Sequence, residues 1–185
     1  DPVALAPQAA RPVGKDAVRV YRVTDLSRFA ADPGRFYEPD YQATLRSMID
    51  AVIEQEAPLR TDVLAQRVAR AHGWLRTGGR IRWQIDRQLL DADKAAESSG
   101  EFVWKKGGHA ALMDYRQPAD TASRRPVGEI PLAELASVVV ANPGIVQRVD
   151  PPVEFARLLG LDRLAGTSRT RLLEAIDHAR LHLGG

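Results

Sequence analysis

Two helical patterns joined by a short connection with adjacent glycines constrain the fold of this chain more than any other feature. The first pattern runs from about Asp62 to Ala71, with Thr61 at the N-cap position and Gly73 just past its end. The second runs from about Arg80 to Ala96 and begins directly after the connection. A short run of strand-forming residues follows, so the order predicts a helix-turn-helix with a wing.

The second helix predicts an exposed face that suits nucleic acid. Apolar residues recur at every fourth position from Ile81 to Leu89 and predict the buried side. At about 100° per residue, the opposite side carries Arg80, Trp83, Gln84 and Arg87. A recognition helix places such side chains against phosphates and base edges, and Arg76 in the connection would hold a phosphate. The alternative is a solvated face whose arginines pair with acids such as Asp86 and Asp91.

The wing is predicted as a hairpin of Glu101–Lys105 and His109–Tyr115. The first of these segments is rich in aromatic and β-branched residues, and Gly107-Gly108 suits a tight turn. Positive charge near the tip would come from Lys105, Lys106 and His109. Such a tip can lie along a phosphate backbone. The alternative is an ordinary hairpin whose edge lysines prevent aggregation.

An earlier helix, over about Tyr41–Glu56, completes the predicted helical trio. Its apolar stripe consists of Leu45, Met48, Ile49, Val52 and Ile53. Pro58 enforces its end, because the residue before a proline avoids helical geometry. Upstream, the alternating pattern of Ala17–Val23 predicts either a short edge strand or an extended arm that lies on the domain.

A second module of helices is predicted in the C-terminal part of the chain. Its helices run from Pro131 to about Val140, from Asp150 to Gly160, and from Thr167 or Ser168 to about Leu183. The fold class is therefore mainly α with a small β-hairpin, a winged helix-turn-helix followed by a small three-helix module. The predicted domains are a linker or tail at 1–16, the winged-helix module with its arm at 17–116, a linker at 117–128, and the second helical module at 129–185.

The charge of the chain is uneven rather than large. The formal net charge is +2, from 26 basic and 24 acidic residues, which is too small to indicate nucleic-acid binding by itself. Between Arg60 and Arg87, however, seven arginines stand against two aspartates. A local basic patch is therefore more informative than the total charge.

The composition argues against several kinds of chemistry. The absence of cysteine excludes a thiolate zinc site, a disulfide framework and a cysteine nucleophile, and it fits a cytoplasmic location. His178 and His182 share a helix face, but two ligands cannot close a metal shell, so we expect no metal. No phosphate-cradling motif is present, and acids such as Glu56 and Glu134 are interpreted as solvent-facing or capping. We therefore expect no enzymatic activity and no cofactor.

The chain is expected to act away from membranes and within a larger protein. No apolar run approaches the roughly 20 residues needed to cross a bilayer. No signal-peptide pattern opens the sequence. Because the chain starts at Asp1 without methionine, we expect it to be a piece of something longer.

Several segments together resemble a known bacterial domain. The runs are YRVTDL, FYEPDY and IEQEAPLRTDVLAQRVARAHGWLRTGGRI, and GEFVW, EIPLAEL and ARLLGLDRL continue the match. They are similar to an uncharacterised, winged-helix-like domain of unknown function at the C-terminal end of very large proteins. Those proteins carry a superfamily 1 helicase core and a Vsr-like, restriction-endonuclease-fold nuclease domain. The resemblance implies a DNA-processing or defence protein, but it supplies no functional residues.

The sequence thus predicts a non-catalytic accessory domain that binds duplex or single-stranded DNA. The predicted contact residues are Arg76, Arg80, Trp83, Gln84, Arg87, Lys105 and Lys106. Affinity is expected to be mainly electrostatic and to fall steeply with salt. The alternative is a protein-docking module that positions the helicase or nuclease domains of the parent protein, with Trp83 as an interface anchor.

Overall fold

The computed structural model describes Val3, Ala4 and residues 19–183. Within this part the chain is mainly helical with small sheets, as the sequence predicts. The α-helices are α1 (Gln42–Glu56), α2 (Thr61–Ala71), α3 (Gly79–Gln88), α4 (Leu132–Ala141), α5 (Pro151–Leu158) and α6 (Gly166–Leu183). The strands are β1 (Val3–Ala4), β2 (Arg19–Tyr21), β3 (Leu59–Arg60), β4 (Asp93–Glu97), β5 (Gly100–Trp104), β6 (Arg116–Pro118) and β7 (Arg163–Leu164). None of the helices in the described residues is both long and apolar enough to span a membrane.

The chain divides into two compact units. The central unit is Arg22–His109, and the flanking unit contains the described residues up to Tyr21 and those from Ala110 onward. The central unit is thus inserted, in sequence, between β2 and β6 of the flanking unit.

The predicted domains are segments that we expect to fold on their own, and their boundaries stay predictions. The predicted linker or tail at residues 1–16 lies outside the described residues, apart from β1. The predicted linker at 117–128 contains part of β6 and two short 3-10 turns, and it buries Ser123 and Val127.

The central unit has one hydrophobic core, shared by three helices and a small sheet. Helix α1 buries Leu45, Met48, Ile49 and Val52, which confirms most of the predicted stripe. The sheet has the order β3-β5-β4, and both of its pairings are antiparallel. Leu59 lies opposite Val103, so the short strand after α1 is tied to the strand at the end of the unit.

Helix α2 agrees closely with the predicted helix. Gly73 has a φ of +80°, a left-handed conformation that favours glycine, and this confirms it as the stop after α2. The N-cap prediction was wrong, because Arg60 occupies that position and Thr61 is the first helical residue. The Thr61 hydroxyl is buried and accepts a hydrogen bond from Arg82 Nη2 at 2.8 Å.

The second predicted helix, Arg80–Ala96, is wrong in its C-terminal half. Helix α3 ends at Gln88, and Asp93–Glu97 forms strand β4 instead. The segment pairs with β5 along its whole length, from Asp93 opposite Trp104 to Glu97 opposite Gly100. Tertiary pairing has therefore overridden the helical preference of the local sequence.

The pairing of β4 with β5 also shows that the hairpin lies earlier in the chain than predicted. The hairpin consists of β4 and β5 and turns at Ser98-Ser99, so the strand prediction holds for the segment ending in Trp104. Residues 109–115 form no strand. Gly107, with a φ of +68°, lies in a turn after β5 at the base of the hairpin, and its amide donates to Asp93.

The flanking unit is built around three packed helices, as the sequence predicts. Helices α4, α5 and α6 bury Leu135, Phe155, Leu172 and Ile176 in a common core. Strand β2 pairs in parallel with β6, so the predicted edge strand is confirmed for Arg19–Tyr21. Ala17 and Val18, the rest of that prediction upstream, lie outside the described residues. Strand β1 pairs antiparallel with β7.

Two glutamates expected to face solvent or to cap helices are fully buried. Glu56 accepts hydrogen bonds from the amide and hydroxyl of Thr24, at 2.9 and 2.7 Å, and pairs with Arg67 at 3.1 Å. Glu134 pairs with Arg116 at 3.0 Å and with Arg125. Both carboxylates are therefore structural ion-pair centres, since each is surrounded by donors from distant parts of its unit.

His72 is buried in the central unit, and both of its ring nitrogens are within hydrogen-bond distance of a partner. Its Nδ1 lies 2.7 Å from the carbonyl of Val68, so Nδ1 carries the proton and donates it. Its Nε2 lies 2.7 Å from the Tyr41 hydroxyl, which donates to it and accepts from the amide of Asp32. Burial lowers the pKa of His72 from its ordinary value of 6.5, although the bond to Val68 acts in the opposite direction.

We expect the central unit to lose stability as the pH falls from about 7.5 to about 5.5. Below about pH 6.5 the unfolded chain takes up a proton on His72 that the folded state resists, so protonation favours unfolding. The loss is at most about 1.4 kcal/mol per pH unit in this window. Urea unfolding followed by tryptophan fluorescence measures it, because Trp74, Trp83 and Trp104 all lie in the central unit.

The matched pair of variants for this prediction is His72→Gln and His109→Gln. His109 is exposed, so its variant should keep the pH dependence of the parent chain, whereas His72→Gln should flatten it. A slope that survives in His72→Gln would assign the pH dependence to another group.

Candidate functional site

The exposed side of α3 carries two arginine–aromatic pairs, here called the α3 face and defined as Tyr37, Arg80, Trp83 and Arg87. Trp83 leaves 59% of its surface exposed, and both arginines are exposed as well. The side of the helix that the periodicity assigns to the core is buried at Ile85 and half-buried at Ile81. The predicted division of α3 into two faces is therefore confirmed for Arg80, Trp83 and Arg87.

Trp83 and Arg87 are held against each other one helical turn apart. The guanidinium carbon of Arg87 lies 4.8 Å from the centre of the Trp83 ring, within the range of a cation–π interaction. The arginine lies over the indole, and more than half of the Trp83 side chain is exposed, so a flat ligand can reach it. The pair thus offers a stacking surface next to a positive charge.

Arg80 and Tyr37 form a second pair of the same kind. The Arg80 guanidinium carbon lies 4.9 Å from the centre of the Tyr37 ring. Tyr37 is 44% exposed, whereas its neighbour Phe36 is fully buried. The site residues predicted from the sequence do not include Tyr37. The residue lies in a turn, where the direction of a side chain follows no helical or strand period.

Gln84 does not lie on the exposed face, so this part of the predicted placement is wrong. Its side chain is only 6% exposed, and its amide nitrogen donates to Gln42 Oε1 on α1. Gln88, one turn later, donates to the same oxygen at 3.0 Å. The two glutamines follow Ile81 and Ile85 along the side that packs against α1, which explains the burial. Gln84 therefore links two helices and plays a structural role.

The arginines of the basic stretch fall into two groups. Three are held by carboxylates: Arg60 by Asp62 at 2.9 Å, Arg67 by Glu56 at 3.1 Å, and Arg82 by Asp86 at 2.8 Å. Within residues 19–183, no ion pair involves the other members, Arg70, Arg76, Arg80 and Arg87. Pairing of the α3-face arginines with Asp86 or Asp91, the alternative left open by the sequence, is not observed in this part of the chain.

Arg76 lies beside α3 in an open groove. The groove has a volume of about 430 Å³ and lies between α2 and the connection to α3. Its wall combines cationic and apolar groups, including Arg70, Arg76, Trp74 and Leu75. Leu75 is 94% exposed. This combination suits a ligand that carries both negative charge and apolar surface.

The two lysines predicted for the wing tip lie at the opposite end of the hairpin. Lys105 directly follows β5 and pairs with Glu54 on α1 at 2.7 Å, and Lys106 is exposed in the following turn. The actual tip, residues 97–101, contains two glutamates and no lysine or arginine. The predicted basic wing tip is therefore wrong, because the hairpin is formed by an earlier segment than expected.

Other titratable clusters add no chemistry to this site. No group of three histidine, aspartate, glutamate or cysteine side chains in the described residues is arranged to hold a metal ion. In the flanking unit, the rings of His178 and His182 lie 5.6 Å apart, and His178 Nε2 is 2.8 Å from the carbonyl of Ala111.

One family model matches part of this chain. Its description is "Protein of unknown function (DUF3320)", and it matches residues 34–83. Neither the comparison with curated proteins nor the comparison with solved structures gave a match.

The matched segment lies entirely in the central unit. It contains α1, α2 and the first part of α3, and so it includes three members of the α3 face, Tyr37, Arg80 and Trp83. Arg87 and the hairpin lie beyond it. The family description names no activity, so function is argued from the geometry of the site.

Proposed function

We propose that the central unit is a winged helix-turn-helix module that binds DNA without catalysing a reaction on it. The order α1, β3, α2, α3 and the β4–β5 hairpin supports this proposal, in which α3 would act as the recognition helix. The observation that carries the proposal is the α3 face. Two arginines without a carboxylate partner in the described residues lie on exposed aromatic rings along one side of that helix.

The charge state of these arginines favours DNA over a protein partner. An arginine already paired with a carboxylate gains little from a phosphate, whereas an arginine without such a partner displaces condensed counterions from the DNA when it neutralises a phosphate. Arg76 adds a third such cation beside the start of α3, and Lys106 supplies charge at the hairpin base. Gln84 and Lys105 are left out of the proposed contacts, because the first is buried and the second is paired with Glu54.

We further propose that this module serves a cytoplasmic helicase or nuclease-type protein as an accessory domain. The support is the sequence resemblance, together with the position of the exposed arginines and aromatic rings along α3. The duplex or single strand on which the parent protein acts would be the partner of the α3 face.

Docking onto the helicase or nuclease domains of the parent protein is the second candidate. The observation that favours it is the exposure of large apolar side chains near α3, at Leu75 (94%), Leu90 (75%) and Trp83 (59%). In that case the same helix would present Trp83 as the anchor of a protein interface.

Removing both face arginines is expected to weaken DNA binding about tenfold or more at low salt. In Arg80→Ala/Arg87→Ala the slope of log affinity against log salt should become shallower by roughly 0.7–0.9 for each phosphate that is no longer neutralised. Fluorescence-anisotropy titrations of the full chain with labelled duplex and single-stranded DNA, at about 50 and about 200 mM salt, measure both quantities.

The matched control is Arg157→Ala/Arg180→Ala in the flanking unit. It removes the same formal charge, but both of its arginines are already paired, with Glu154 and Asp177. It should bind DNA like the parent chain. Equal weakening in the two double variants would show a general charge effect, and absence of binding at low salt would favour docking.

A further inference from the structure

We infer that the ligand of the α3 face is an unpaired strand of DNA, with a base stacked on Trp83. The inference rests on the proposed DNA-binding function and adds to it the strand form and the mode of contact. Three observations carry it: the exposed indole of Trp83, a second exposed aromatic ring at Tyr37, and a hairpin tip without lysine or arginine.

The geometry of Trp83 suits a base whose flat faces are free. In a duplex both faces of each base are covered by its neighbours, so an indole on a recognition helix meets only base edges and backbone. An unpaired base can lie flat on the indole, and such stacking occurs with every base because each has a π-face. The Arg87 guanidinium, 4.8 Å from the ring centre, restrains the indole and lies close enough to meet a phosphate of the same strand.

Tyr37 and Arg80 repeat this arrangement on the same face. The Tyr37 ring packs edge-on against the buried Phe36, with ring centres 5.1 Å apart, and this contact holds the ring in position. Arg80 lies over the ring. Aromatic rings alternating with cations are the pattern of proteins that bind single strands, where rings hold bases and cations follow the backbone.

The hairpin tip argues against a duplex. A duplex seated on α3 would bring its backbone to the tip of the wing, where basic side chains normally hold it. Here Glu97 and Glu101 flank the turn, and Lys94, the basic residue of β4, is 3.7 Å from Glu101. Residues 97–101 therefore offer no lysine or arginine to a phosphate backbone. A single strand can follow the α3 face and the groove beside Arg76 without approaching the tip.

The test compares three DNA forms of equal length with two substitutions of one residue. The full chain is titrated by anisotropy with a strand of about 15 thymidines, with an abasic sugar–phosphate strand, and with a duplex. Trp83→Leu keeps an apolar side chain but removes the ring, and Trp83→Phe keeps a ring. Trp83 is exposed, so neither change should impair folding, which tryptophan fluorescence from Trp74 and Trp104 verifies.

We expect the parent chain to bind the thymidine strand about tenfold or more tightly than the abasic strand or the duplex. Trp83→Leu should lower affinity for the thymidine strand by about 5- to 100-fold and leave the abasic strand unchanged, while Trp83→Phe should retain most of the affinity. A duplex bound as tightly as the single strand, or equal weakening on thymidine and abasic strands, would overturn the single-strand inference and leave DNA binding intact. Failure to bind any of the three forms at low salt would overturn the proposed function as well.

Discussion

Replacing Glu134 with alanine is expected to lower the free energy of unfolding of the flanking unit by about 3–5 kcal/mol. The Glu134 side chain is fully buried and accepts hydrogen bonds from the amide of Arg116 at 2.8 Å, from the Arg116 guanidinium at 3.0 Å and from Arg125 at 2.9 Å. Removing the carboxylate leaves the Arg125 charge, with its side chain only 5% exposed, without its carboxylate partner.

The electrostatics of this centre explain why the destabilisation should be large. Burial by itself favours the protonated acid, but Arg125 and Arg116 lower the pKa of Glu134 below its ordinary value of 4.5. Burial likewise opposes the charge on Arg125, yet Glu134 raises the pKa of that guanidinium. The guanidinium also stacks on the Tyr21 ring, with its carbon 4.2 Å from the ring centre. Each charge is therefore tolerated because of the other.

Urea unfolding followed by circular dichroism measures the change, since the flanking unit contains α4, α5 and α6 but no tryptophan. The matched control is Glu154→Ala, which removes a half-buried carboxylate paired with Arg157 and should cost less than about 1 kcal/mol. Glu134→Leu/Arg125→Met should be destabilised less than Glu134→Leu alone, because the buried Arg125 charge is removed together with its carboxylate. Equal destabilisation in Glu134→Ala and Glu154→Ala would contradict the role assigned to the buried carboxylate.

Helical periodicity predicted the core of the central unit well. In α1, four of the five stripe residues are fully buried, and in α3 the spacing from Ile81 to Leu89 identified the inner side. The pattern succeeds because burial of apolar surface dominates the position of an amphipathic helix, and its period can be read from one sequence.

Strand pairing was harder to predict, because it depends on residues far apart in the chain. Asp93–Glu97 reads locally as a continuation of α3, but it pairs with Gly100–Trp104, which itself pairs with Leu59–Arg60. The adjacent glycines at 107 and 108 resemble a hairpin turn, yet they follow the hairpin. The glycines correctly indicated a turn, but the prediction placed that turn between the wrong strands.

Ion pairs between residues of different helices were also hard to predict, as the buried glutamates show. Glu56 and Arg67 are eleven residues apart in sequence, and their ion pair exists only because α1 and α2 pack together. Nothing in the composition distinguishes Glu56 from Glu54, which is exposed and pairs with Lys105 at 2.7 Å. From the sequence, Glu56 is interpreted as solvent-facing or capping because most glutamates lie at the surface.

For the candidate site, the direction of side chains could be predicted from the sequence, but their neighbours could not. Helical angles placed Arg80, Trp83 and Arg87 outward, as observed, because that calculation needs only the helix itself. Gln84 lies near the boundary of the two faces, where packing against α1 decided its position. Tyr37 reaches Arg80 from a loop, and loop geometry does not follow a period.

Truncating Ile85 to alanine is expected to destabilise the central unit by about 2–5 kcal/mol. Ile85 is fully buried in the core that α3 shares with α1 and α2, so alanine would leave a cavity beneath the helix. Trp83→Ala, two positions earlier on the same helix, should cost less than about 1 kcal/mol, because it removes mainly exposed surface and one cation–π contact. Urea unfolding followed by tryptophan fluorescence reports both, since Trp74 and Trp104 remain in the central unit.

DNA affinity should respond to these two variants in the opposite order. At a temperature where Ile85→Ala is still folded, the α3 face is intact, so its affinity for DNA should match that of the parent chain. Trp83→Ala should remain stable and bind DNA more weakly. We expect this reversal because the two sides of α3 differ. The buried side holds the helix in place, and the exposed side carries the groups that we propose bind DNA. Equal weakening of DNA binding in both folded variants would mean that binding depends on core packing, and the α3 face would then not be a preformed site.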